Sequence, residues 1–440
     1  PEPRTIFRDV FKLPPGHTLT VRRGDGDLQP RQYWDVDFAS NGIIDEREAG
    51  AQLMERLQEA VSIRLIADVP LGAFLSGGVD SSAVVAMMAG LGDEPVNTCS
   101  ISFGDPDFNE SHYAQMAAER YQTSHQVEEV NPDDFDLIGK LVDLYDEPYA
   151  DSSAMPTYRV CELARKRVTV ALSGDGGDEN LAGYRRYRWH LYEQRMRSLF
   201  PLSLRRPLFG TLGRLYPKAD WAPRVFRAKS TFEALARDDI EGYFHSVSVL
   251  GDNIRTKLFS DAFRRDLQGY QAVEVFRRHA ANAPEHPLSR VQYLDLKTYL
   301  VGDILTKVDR ASMAHGLEVR VPILDHKLVE WMAGLSPDLK LRGREGKYLF
   351  KKSLESRLPQ EILYRPKMGF AVPLASWFRG PLRERVRSAL LGPVMQESGI
   401  FDSTFLRQMV DLHQSGRRDF SSPIWSLLMF EAFQRKLTDH

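Results

Sequence analysis

The chain has 440 residues, of which 42% are hydrophobic and 27% are charged, and its 58 basic and 60 acidic side chains give a net charge of −2. This length allows two or three domains with a large buried core. The even charge balance argues against a general nucleic-acid or membrane-surface binder, and no apolar run is long enough to cross a bilayer. The two cysteines, Cys99 and Cys161, form neither a disulfide framework nor a paired motif, which indicates a cytoplasmic protein.

The first 40 residues predict a β-hairpin. Residues 14–17 (PPGH) have the composition of a turn, the run from Thr18 to Arg22 alternates as a strand does, and residues 24–26 (Gly-Asp-Gly) form a second turn. Our interpretation is that residues 1–40 are the last hairpin of a domain whose body precedes this sequence. The alternative is an N-terminal arm that packs on the residues after it.

Helical and strand-like patterns alternate from residue 46 onward. The predicted helices cover 46–65, 80–90, about 112–121 and about 132–145, and the predicted strands cover 69–76, 96–103, 125–130 and 167–174. This order predicts an α/β fold with a doubly wound parallel sheet and helices on both faces. Beyond residue 184 the pattern is mostly helical. We therefore expect one domain over 45–440, with an α/β core at about 45–190 and a largely helical part at about 190–440.

The stretch 72-GAFLSGGVDSSAVVAMMAG-90 joins the first core strand to the next helix. Gly77 and Gly78 would let the backbone close on an anion, whose charge the amides at the helix start would stabilise. Asp80 suits such a site if Mg²⁺ lies between its carboxylate and a phosphate. The pattern Ser-Gly-Gly-x-Asp-Ser is typical of pyrophosphate-loop enzymes, which split ATP between the α and β phosphates, whereas a plain helix cap would explain only the acid. Three hydroxyl side chains add hydrogen-bond donors: Ser76, Ser81 and Ser82.

A second cluster, 172-LSGDGGDENLAGYRRY-187, follows the fourth core strand. Its glycines and acids lie at the carboxyl end of a strand, where open α/β sheets bind ligands. Three acids in so short a loop repel one another unless a cation or a proton-transfer role accounts for them. A solvated acidic turn is the alternative interpretation. The acids are Asp175, Asp178 and Glu179.

At these two motifs the chain resembles the synthetase domain of the asparagine synthetase B family. Further stretches extend the resemblance in the family's order over nearly the whole chain from about residue 50: 146-DEPYADSSAMPTY-158, 302-GDILTKVDRASMAHGLEVRVPILD-325 and 343-GREGKYLFKKSL-354. The resemblance implies a fold of the adenine nucleotide alpha hydrolase-like type. The first 40 residues are similar to the tail of the family's glutaminase domain. That domain normally begins with a catalytic cysteine, and neither Cys99 nor Cys161 is near the start of this sequence.

The resemblance implies an ATP-dependent amide ligase, an amidotransferase of asparagine biosynthesis. A carboxylate, by default that of L-aspartate, would attack the α-phosphorus of ATP to give an acyl-adenylate and pyrophosphate. Ammonia from a glutaminase domain absent from this chain would then displace AMP and give the amide, asparagine. The implied ligands are ATP, Mg²⁺ and a small-molecule carboxylate. Neither nucleic acid nor a membrane is expected as a partner, and a homodimer is left open.

The resemblance also assigns roles to residues. Leu75 and Phe103 would flank the adenine, and Lys347 would stabilise charge on the leaving phosphate or on the tetrahedral intermediate. By sequence context alone, Lys347 is instead a solvated lysine after a glycine turn. Asp80 and Asp178 would bind Mg²⁺. The ATP-binding residues would be Leu75, Ser76, Gly77, Gly78, Asp80, Ser81, Ser82, Phe103, Ser173 and Gly174, and the catalytic residues Asp175 and Lys347.

Asp175 departs from the family's pattern, which commonly has Glu at this position. The aspartate reaches about 1.5 Å less, the length of one carbon–carbon bond. A base or binding role survives this change. The Gly-Asp-Gly-Gly-Asp-Glu form is similar to relatives in bacterial exopolysaccharide and natural-product gene sets, whose acceptor need not be free aspartate.

Two other classes of function stay open. One is a pyrophosphate-loop enzyme that modifies RNA, although the paired cysteines often used for sulfur transfer are absent. The arginines between Arg185 and Arg206 are the one basic concentration, and a solvated helix face is favoured over nucleic-acid binding there. The other is a non-catalytic scaffold, against which the intact motifs argue.

Two further groups of charged residues have structural interpretations. Asp303, Lys307 and Arg310 have the spacing of one helix face and indicate a salt-bridged packing layer. Asp146 and Asp151 fit either an acceptor pocket or a capped turn around the proline between them.

Overall fold

The computed structural model describes residues 2–24, 26, 28–39, 42, 45–216, 228–366 and 372–438. Its strands are β1 (His17–Thr18), β2 (Arg31–Gln32), β3 (Leu71–Phe74), β4 (Asn97–Phe103), β5 (Ser124–Val130), β6 (Val170–Leu172), β7 (Glu318–Arg320), β8 (Leu341–Arg342) and β9 (Glu345–Gly346).

The α-helices are α1 (Glu46–Ser62), α2 (Val79–Leu91), α3 (Ser111–Arg120), α4 (Ile138–Tyr145), α5 (Ala154–Arg165), α6 (Gly177–Asn180), α7 (Arg185–Leu199), α8 (Leu202–Leu215), α9 (Lys229–Leu235), α10 (Asp239–Val247), α11 (Asp252–Leu258), α12 (Asp261–Asp266), α13 (Val273–Ala280), α14 (Pro287–Lys297), α15 (Thr306–Met313), α16 (His326–Ala333), α17 (Pro337–Lys340), α18 (Tyr348–Ser353), α19 (Gln360–Leu363), α20 (Leu374–Arg379), α21 (Arg383–Leu390), α22 (Pro393–Glu397), α23 (Ser403–Gln414) and α24 (Ser421–Thr438). Short 3₁₀-helices cover Pro106–Phe108, Pro132–Leu137 and Pro322–Leu324, and a π-helix covers Leu300–Leu305. None of the helices in the described part of the chain has both the length and the apolar character that a membrane span needs.

The chain forms two compact units. The first is drawn from residues 1–130, 156–188 and 283–370, and the second from 131–155, 189–282 and 371–440. The first unit contains the main sheet and every residue of the candidate site. In the second unit, the ring of Phe135 makes edge contacts with Phe378 and Trp425, at 5.9 and 6.1 Å between ring centres.

The main sheet is parallel, with strand order β5-β4-β3-β6-β7. Ala73 of β3 pairs with Thr98 of β4 on one side and with Leu172 of β6 on the other. The chain therefore winds outward from β3 to β5 and then crosses back to the other side of β3 for β6 and β7. The loops after β3 and β6 leave the same edge of the sheet where the winding direction reverses, which is where open α/β sheets bind ligands.

The core of the first unit forms around α2, in which every residue from Ser81 to Met88 is buried. A helix that is apolar on all sides belongs inside a fold. By contrast, α1 buries one stripe that includes Leu53 and Leu57, and Asp45 caps its first turn by accepting a hydrogen bond from the Arg47 amide. These two helices and the sheet fix the position of the loop between β3 and α2.

The predicted α/β class with a doubly wound parallel sheet is confirmed. All four predicted core strands are present, although the first and the last are shorter than predicted, at 71–74 and 170–172. The prediction of a single helix over 132–145 is wrong: a 3₁₀ turn closed by a capping box between Asn131 and Asp134 precedes α4. β7 was missed because three residues inside a largely helical part of the chain carry no strand signal.

At the N-terminus, β1 and β2 pair in antiparallel fashion, with His17 opposite Gln32. The pairing covers two residues on each side, which is less than the strand predicted over 18–22. The predicted turn at 24–26 includes Asp25, which lies outside the described residues. The division into domains at 1–40 and 45–440 stays a prediction.

Candidate active site

The loop after β3 closes tightly at Gly77. Its φ of +70° is in the left-handed region, and a Cβ atom there would lie 2.5 Å from the backbone nitrogen of Ala114. Glycine alone meets both constraints without strain. Gly78 is the extended N-cap residue of α2 and has no side chain with which to cap the helix. The positive end of the α2 dipole therefore faces this loop, where it would favour an anionic ligand.

Serine hydroxyls brace the same loop. The Oγ atoms of Ser76 and Ser81 are 3.0 Å apart, and the Ser76 amide donates to Oγ of Ser81 at 3.2 Å. The Gly78 amide donates to Oγ of Ser76 at 3.3 Å. Ser82 is fully buried within α2. The first two serines thus hold the shape of the loop, and the third belongs to the helix packing.

Leu75 and Phe103, the residues expected beside adenine, lie in the core. Their exposed fractions are 0% and 3%. The Leu75 amide donates to the carbonyl of Cys99 at 2.9 Å, which extends the pairing of β3 with β4 beyond the end of β3. Contact with a base would therefore involve the backbone here, and the adenine role of both residues stays a prediction.

The loop after β6 packs directly on the start of α2. A Cβ atom at Gly174 would lie 2.6 Å from the backbone nitrogen of Ser81, and one at Gly177 would lie 2.3 Å from Oδ1 of Asp80. Any side chain at either glycine would push the loop and the helix apart. The two motifs, found separately in the sequence, therefore meet in one site.

Lys347 connects the acids of the two loops. It comes directly after the β8–β9 hairpin, and its own backbone is in the left-handed conformation. Its amide donates to the carbonyl of Leu181 at 2.9 Å. Its Nζ atom contacts the carboxylate of Asp80 and lies 2.7 Å from Oδ1 of Asp178. With 6% of its surface exposed, Lys347 is buried, and the interpretation as a solvated lysine is wrong.

Lys347 forms a triad with Asp80 and Asp178, and the charges of this triad stabilise one another. Burial by itself would lower the pKa of Lys347, but the carboxylates of Asp178 and Asp80 outweigh burial and raise it. The lysine therefore stays protonated and reduces the repulsion between the two carboxylates. Gly183 makes room for this contact, because a Cβ atom there would lie 1.9 Å from Oδ1 of Asp178 and 2.2 Å from Cε of Lys347.

Asp175 folds back onto its own loop. Its Oδ2 atom accepts a hydrogen bond from the Ser173 hydroxyl at 2.5 Å. Burial raises the pKa of Asp175, while the Ser173 hydrogen bond and the charge of Lys307 act in the opposite direction. The net effect brings the Asp175 carboxyl closer to the range in which a group accepts protons near neutral pH.

Glu179, an acid of the second motif without an assigned role, follows Asp178 in α6. It is 1% exposed, and its Oε1 atom accepts a hydrogen bond from the Tyr184 hydroxyl at 2.7 Å. Burial, together with the charge of Asp178, raises the pKa of Glu179 to about 7. The Gln292 side chain donates to the carbonyl of Glu179 at 2.6 Å and ties this loop to α14.

The comparison with known proteins decides the family. The sequence model of the asparagine synthase family matches residues 52–435 of this chain. The chain belongs to the asparagine synthase family. This confirms the relationship indicated by the motifs and the pyrophosphate-loop type of fold.

Several relatives of the asparagine synthase family align over most of the chain. Asparagine synthetase [glutamine-hydrolyzing] 1 of Bacillus subtilis is 30% identical over 98% of this chain and 66% of its own length. Asparagine synthetase [glutamine-hydrolyzing] 3 of the same bacterium is 26% identical over 82% of this chain. Amidase chry2 of Gibberella zeae is 26% identical over 90% of this chain. The chain thus spans just under two thirds of the length of the first of these asparagine synthase relatives.

The sequence motifs did not predict Arg365, a cation beside the loop after β3. Arg365 donates to the carbonyl of Gly77 at 3.1 Å and to Oε1 of Glu110 at 2.6 Å, and its guanidinium lies 4.4 Å from the ring centre of Tyr113. Arg365 and Glu110 are 255 positions apart. No motif signals this pair, because only the fold brings the two segments together.

The carboxylates of Asp80 and Asp178 suit an Mg²⁺ ion that binds together with a nucleotide. Between residues 2 and 438, within the ranges that the structure describes, no group of three or more His, Cys, Asp and Glu side chains is arranged to hold a metal ion. Mg²⁺, however, commonly takes one or two carboxylates and fills its other positions with water and substrate phosphates. Asp80 and Asp178 provide such a pair, and the Mg²⁺ prediction stays open.

The remaining charged groups lie in the helical part of the chain and in the turn at Asp151. Lys307 is buried in α15, Asp303 belongs to the π-helix and Arg310 is exposed. The salt-bridged packing layer stays a prediction. The Asp151 carboxylate accepts from the Ser153 amide at 2.9 Å, which fits the capped turn.

The arginines between Arg185 and Arg206 were expected to form a solvated helix face, and this interpretation is wrong for three of them. Arg186 pairs with Asp295 at 2.6 Å, and Arg197 pairs with Glu193 at 3.0 Å. Arg205 is buried and donates to three backbone carbonyls. These arginines hold the fold together, which removes them from any surface that could bind RNA.

Proposed function

We propose that this chain is the ATP-using part of an amide ligase. It activates a carboxylate, by default that of L-aspartate, as an acyl-adenylate and then transfers ammonia to it, which yields the amide, AMP and pyrophosphate. One observation carries the proposal: Asp80 and Asp178, from the loops after β3 and β6, both contact Nζ of Lys347 at the edge of the sheet where the winding reverses.

The first loop suits the triphosphate of ATP. Departure of pyrophosphate concentrates negative charge on the leaving group, and fixed positive ends of dipoles and cations lower the barrier to that step. The N-terminus of α2 supplies such a dipole, and Lys347 supplies a buried cation next to it. Ser76 and Ser81, already linked by their hydroxyls, would turn those hydroxyls toward phosphate oxygens.

Asp80 and Asp178 are the residues that would hold Mg²⁺. The ion, when bound with ATP, would offset the charge of the phosphates and orient them. Lys347 keeps the two carboxylates close together, and Gly183 leaves the space for this contact. The protein therefore presents both acids to the nucleotide from one rigid position.

Asp175 is our candidate for the base. An ammonium ion must lose a proton before it attacks the acyl carbon, and a carboxyl whose pKa is raised by burial is a better acceptor than an ordinary one. The Ser173 hydroxyl fixes the orientation of the Asp175 carboxylate. Because Asp175 is shorter than the usual glutamate, its position relative to the acceptor also bears on substrate choice.

We assign residues 1–40 to a domain that releases ammonia from glutamine. A run of large apolar side chains in this segment is exposed, and such a surface is usually covered by another part of a protein. Asp35 anchors the segment by accepting from Tyr293 at 2.9 Å and from Lys297 at 3.0 Å. The exposed side chains are Ile6, Phe7, Val10, Phe11, Leu13, Leu19, Val21, Leu28 and Tyr33.

We propose the cytoplasm as the compartment. Cys99 and Cys161 are both buried free thiols, which persist in a reducing environment. Burial raises the pKa of Cys99 to about 11. A thiol of this kind is a poor nucleophile, which also weighs against sulfur transfer to RNA.

A second acceptor class is favoured by two observations. Asp175 replaces the usual glutamate, and one relative, amidase chry2 of Gibberella zeae, has a name other than asparagine synthetase. The alternative is amidation of another small carboxylate, of the kind found in exopolysaccharide or natural-product biosynthesis. Both acceptor classes predict the same ATP chemistry.

Release of pyrophosphate tests the function. The chain is incubated with ATP, Mg²⁺ and ammonium, with L-aspartate or one of a panel of small carboxylates as acceptor. We expect release that depends on one acceptor, with AMP in equal amount. Release of ADP and phosphate instead, or the absence of any acceptor-dependent pyrophosphate across the panel, would contradict the adenylation.

A further inference from the structure

Helices α7 and α8 expose large apolar side chains at helical spacing. Intervals of three and four residues place each set on one side of its helix. Their exposed fractions range from 37% to 77%. Phe200, between the two helices, is exposed as well. Together these residues form what we call the apolar face: Trp189, Tyr192, Met196, Leu199, Phe200, Leu204, Leu208, Leu212 and Leu215.

Another side of α7 is buried and carries polar groups together with Tyr187. His190, Glu193 and Arg197 are each 9% exposed or less. Arg197 donates to the Glu193 carboxylate and to the carbonyl of Ala234, both at 3.0 Å. A helix that packs on its own protein normally buries its apolar side. Because α7 packs through this other side, the apolar face is not what holds the helix in the fold.

α8 is likewise held through the side away from the apolar face. The ring of Phe209 stacks on that of Phe232 in α9, with 6.1 Å between ring centres. Arg205 donates to the carbonyls of Leu235 and Arg237. The leucines of α8 therefore remain exposed although the helix is firmly packed.

The exposed charges between residues 189 and 216 have one sign. Glu193 is the only acidic residue from 189 to 216, and it pairs with Arg197 on the buried side. Arg195, Arg206 and Arg214 are exposed. Leucines and aromatic rings flanked by arginines are the composition of helices that lie in the interface of a membrane with anionic lipids.

We propose that the apolar face of α7 and α8 binds the surface of an anionic lipid membrane. Its leucines and aromatic rings would enter the acyl boundary, and Arg195, Arg206 and Arg214 would pair with lipid phosphates. A second copy docked through the same face is disfavoured, because a two-fold contact would bring like charges together. The even charge of the whole chain argued against a membrane partner, and the basic concentration within it was interpreted as a solvated helix face. This proposal does not depend on the ligase activity.

Co-sedimentation with vesicles tests the proposal. The full chain is mixed with vesicles of phosphatidylcholine alone or with an equimolar mixture of phosphatidylcholine and phosphatidylglycerol. We expect binding to the mixed vesicles that weakens as salt is added, and little binding to phosphatidylcholine. Replacing the three arginines by glutamine should weaken binding about fivefold for each, on the order of a hundredfold together. Leu208→Glu should weaken it about tenfold.

Matched variants separate this face from general surface effects. Leu437→Glu changes a leucine of similar exposure, 48% against 56%, and Arg278→Gln changes an exposed arginine outside the face. Both should bind as the wild type does, and all variants should melt at the wild-type temperature because the changed side chains are exposed. Equal binding by the Leu208→Glu variant would overturn the proposal. So would a dimer, seen by ultracentrifugation without lipid, that Leu208→Glu dissociates, because a second copy would then be the occupant.

Discussion

The Nζ atom of Lys347 lies 2.7 Å from Oδ1 of Asp178, inside the protein and next to the glycine loop at the start of α2. The same Nζ atom contacts Asp80. One buried cation therefore serves two carboxylates, and the loops after two neighbouring strands are tied together by charge as well as by packing.

Removal of either carboxylate should stop the reaction without unfolding the protein. For Asp80→Asn and Asp178→Asn we expect pyrophosphate release to fall at least about a hundredfold, because a preorganised charge at the phosphates is lost. Thermal unfolding monitors the fold. Asp143→Asn is the control, since Asp143 forms an exposed pair with Lys436. Near-normal turnover in either site variant would refute the metal assignment.

Removal of the cation should destabilise the fold. In Lys347→Met two buried carboxylates lose their partner, and we expect a loss of about 3 kcal/mol in the free energy of unfolding, measured with urea. Adding Asp178→Asn to Lys347→Met should restore part of the loss. An additive double variant would show that the pair is not coupled.

A methyl group at Gly183 should displace the ion pair. The Cβ atom of Gly183→Ala would lie 1.9 Å from Oδ1 of Asp178, and we expect a loss of about 1–3 kcal/mol in stability together with reduced pyrophosphate release. Gly139→Ala, where the added Cβ would meet no atom within 4 Å apart from its chain neighbours and the backbone of its own helix, should be neutral or stabilising. Equal behaviour of the two alanine variants would mean that the space at Gly183 is unimportant.

Glu179 should make stability depend on pH. Its pKa in the folded protein is about 7, above the ordinary value of 4.5. Its contribution to stability is therefore complete below about pH 4.5 and is lost as the pH rises through about 7, a change of about 3 kcal/mol. Glu179→Gln, which keeps an acceptor for Tyr184, should remove this part of the pH dependence in urea unfolding. Glu384→Gln, on an exposed side chain, should leave it unchanged; an unaltered profile in Glu179→Gln would contradict the assignment.

The sheet and its glycine loops could be predicted because their signals are local. β6 lies within a run rich in β-branched residues at 167–174, and Gly77 and Gly78 occur at the junction of a strand with a helix. The order of the strands and the presence of β7 could not be predicted, because pairing such as that of Leu172 with Arg320 joins distant segments. The capping box at Asn131 changed a predicted helix into a 3₁₀ turn followed by α4.

The sequence by itself determined where the candidate site lies. Gly77 and Asp80 follow one strand, and Asp178 follows another, since glycine at positive φ and acids at strand ends are requirements of the local backbone. The tertiary structure alone decided how these groups are charged and which surfaces stay open. Lys347 reads locally as a solvated lysine, yet it is buried against Asp80, 267 positions away. Burial and ion pairing depend on contacts between distant segments, and no local pattern records their energy.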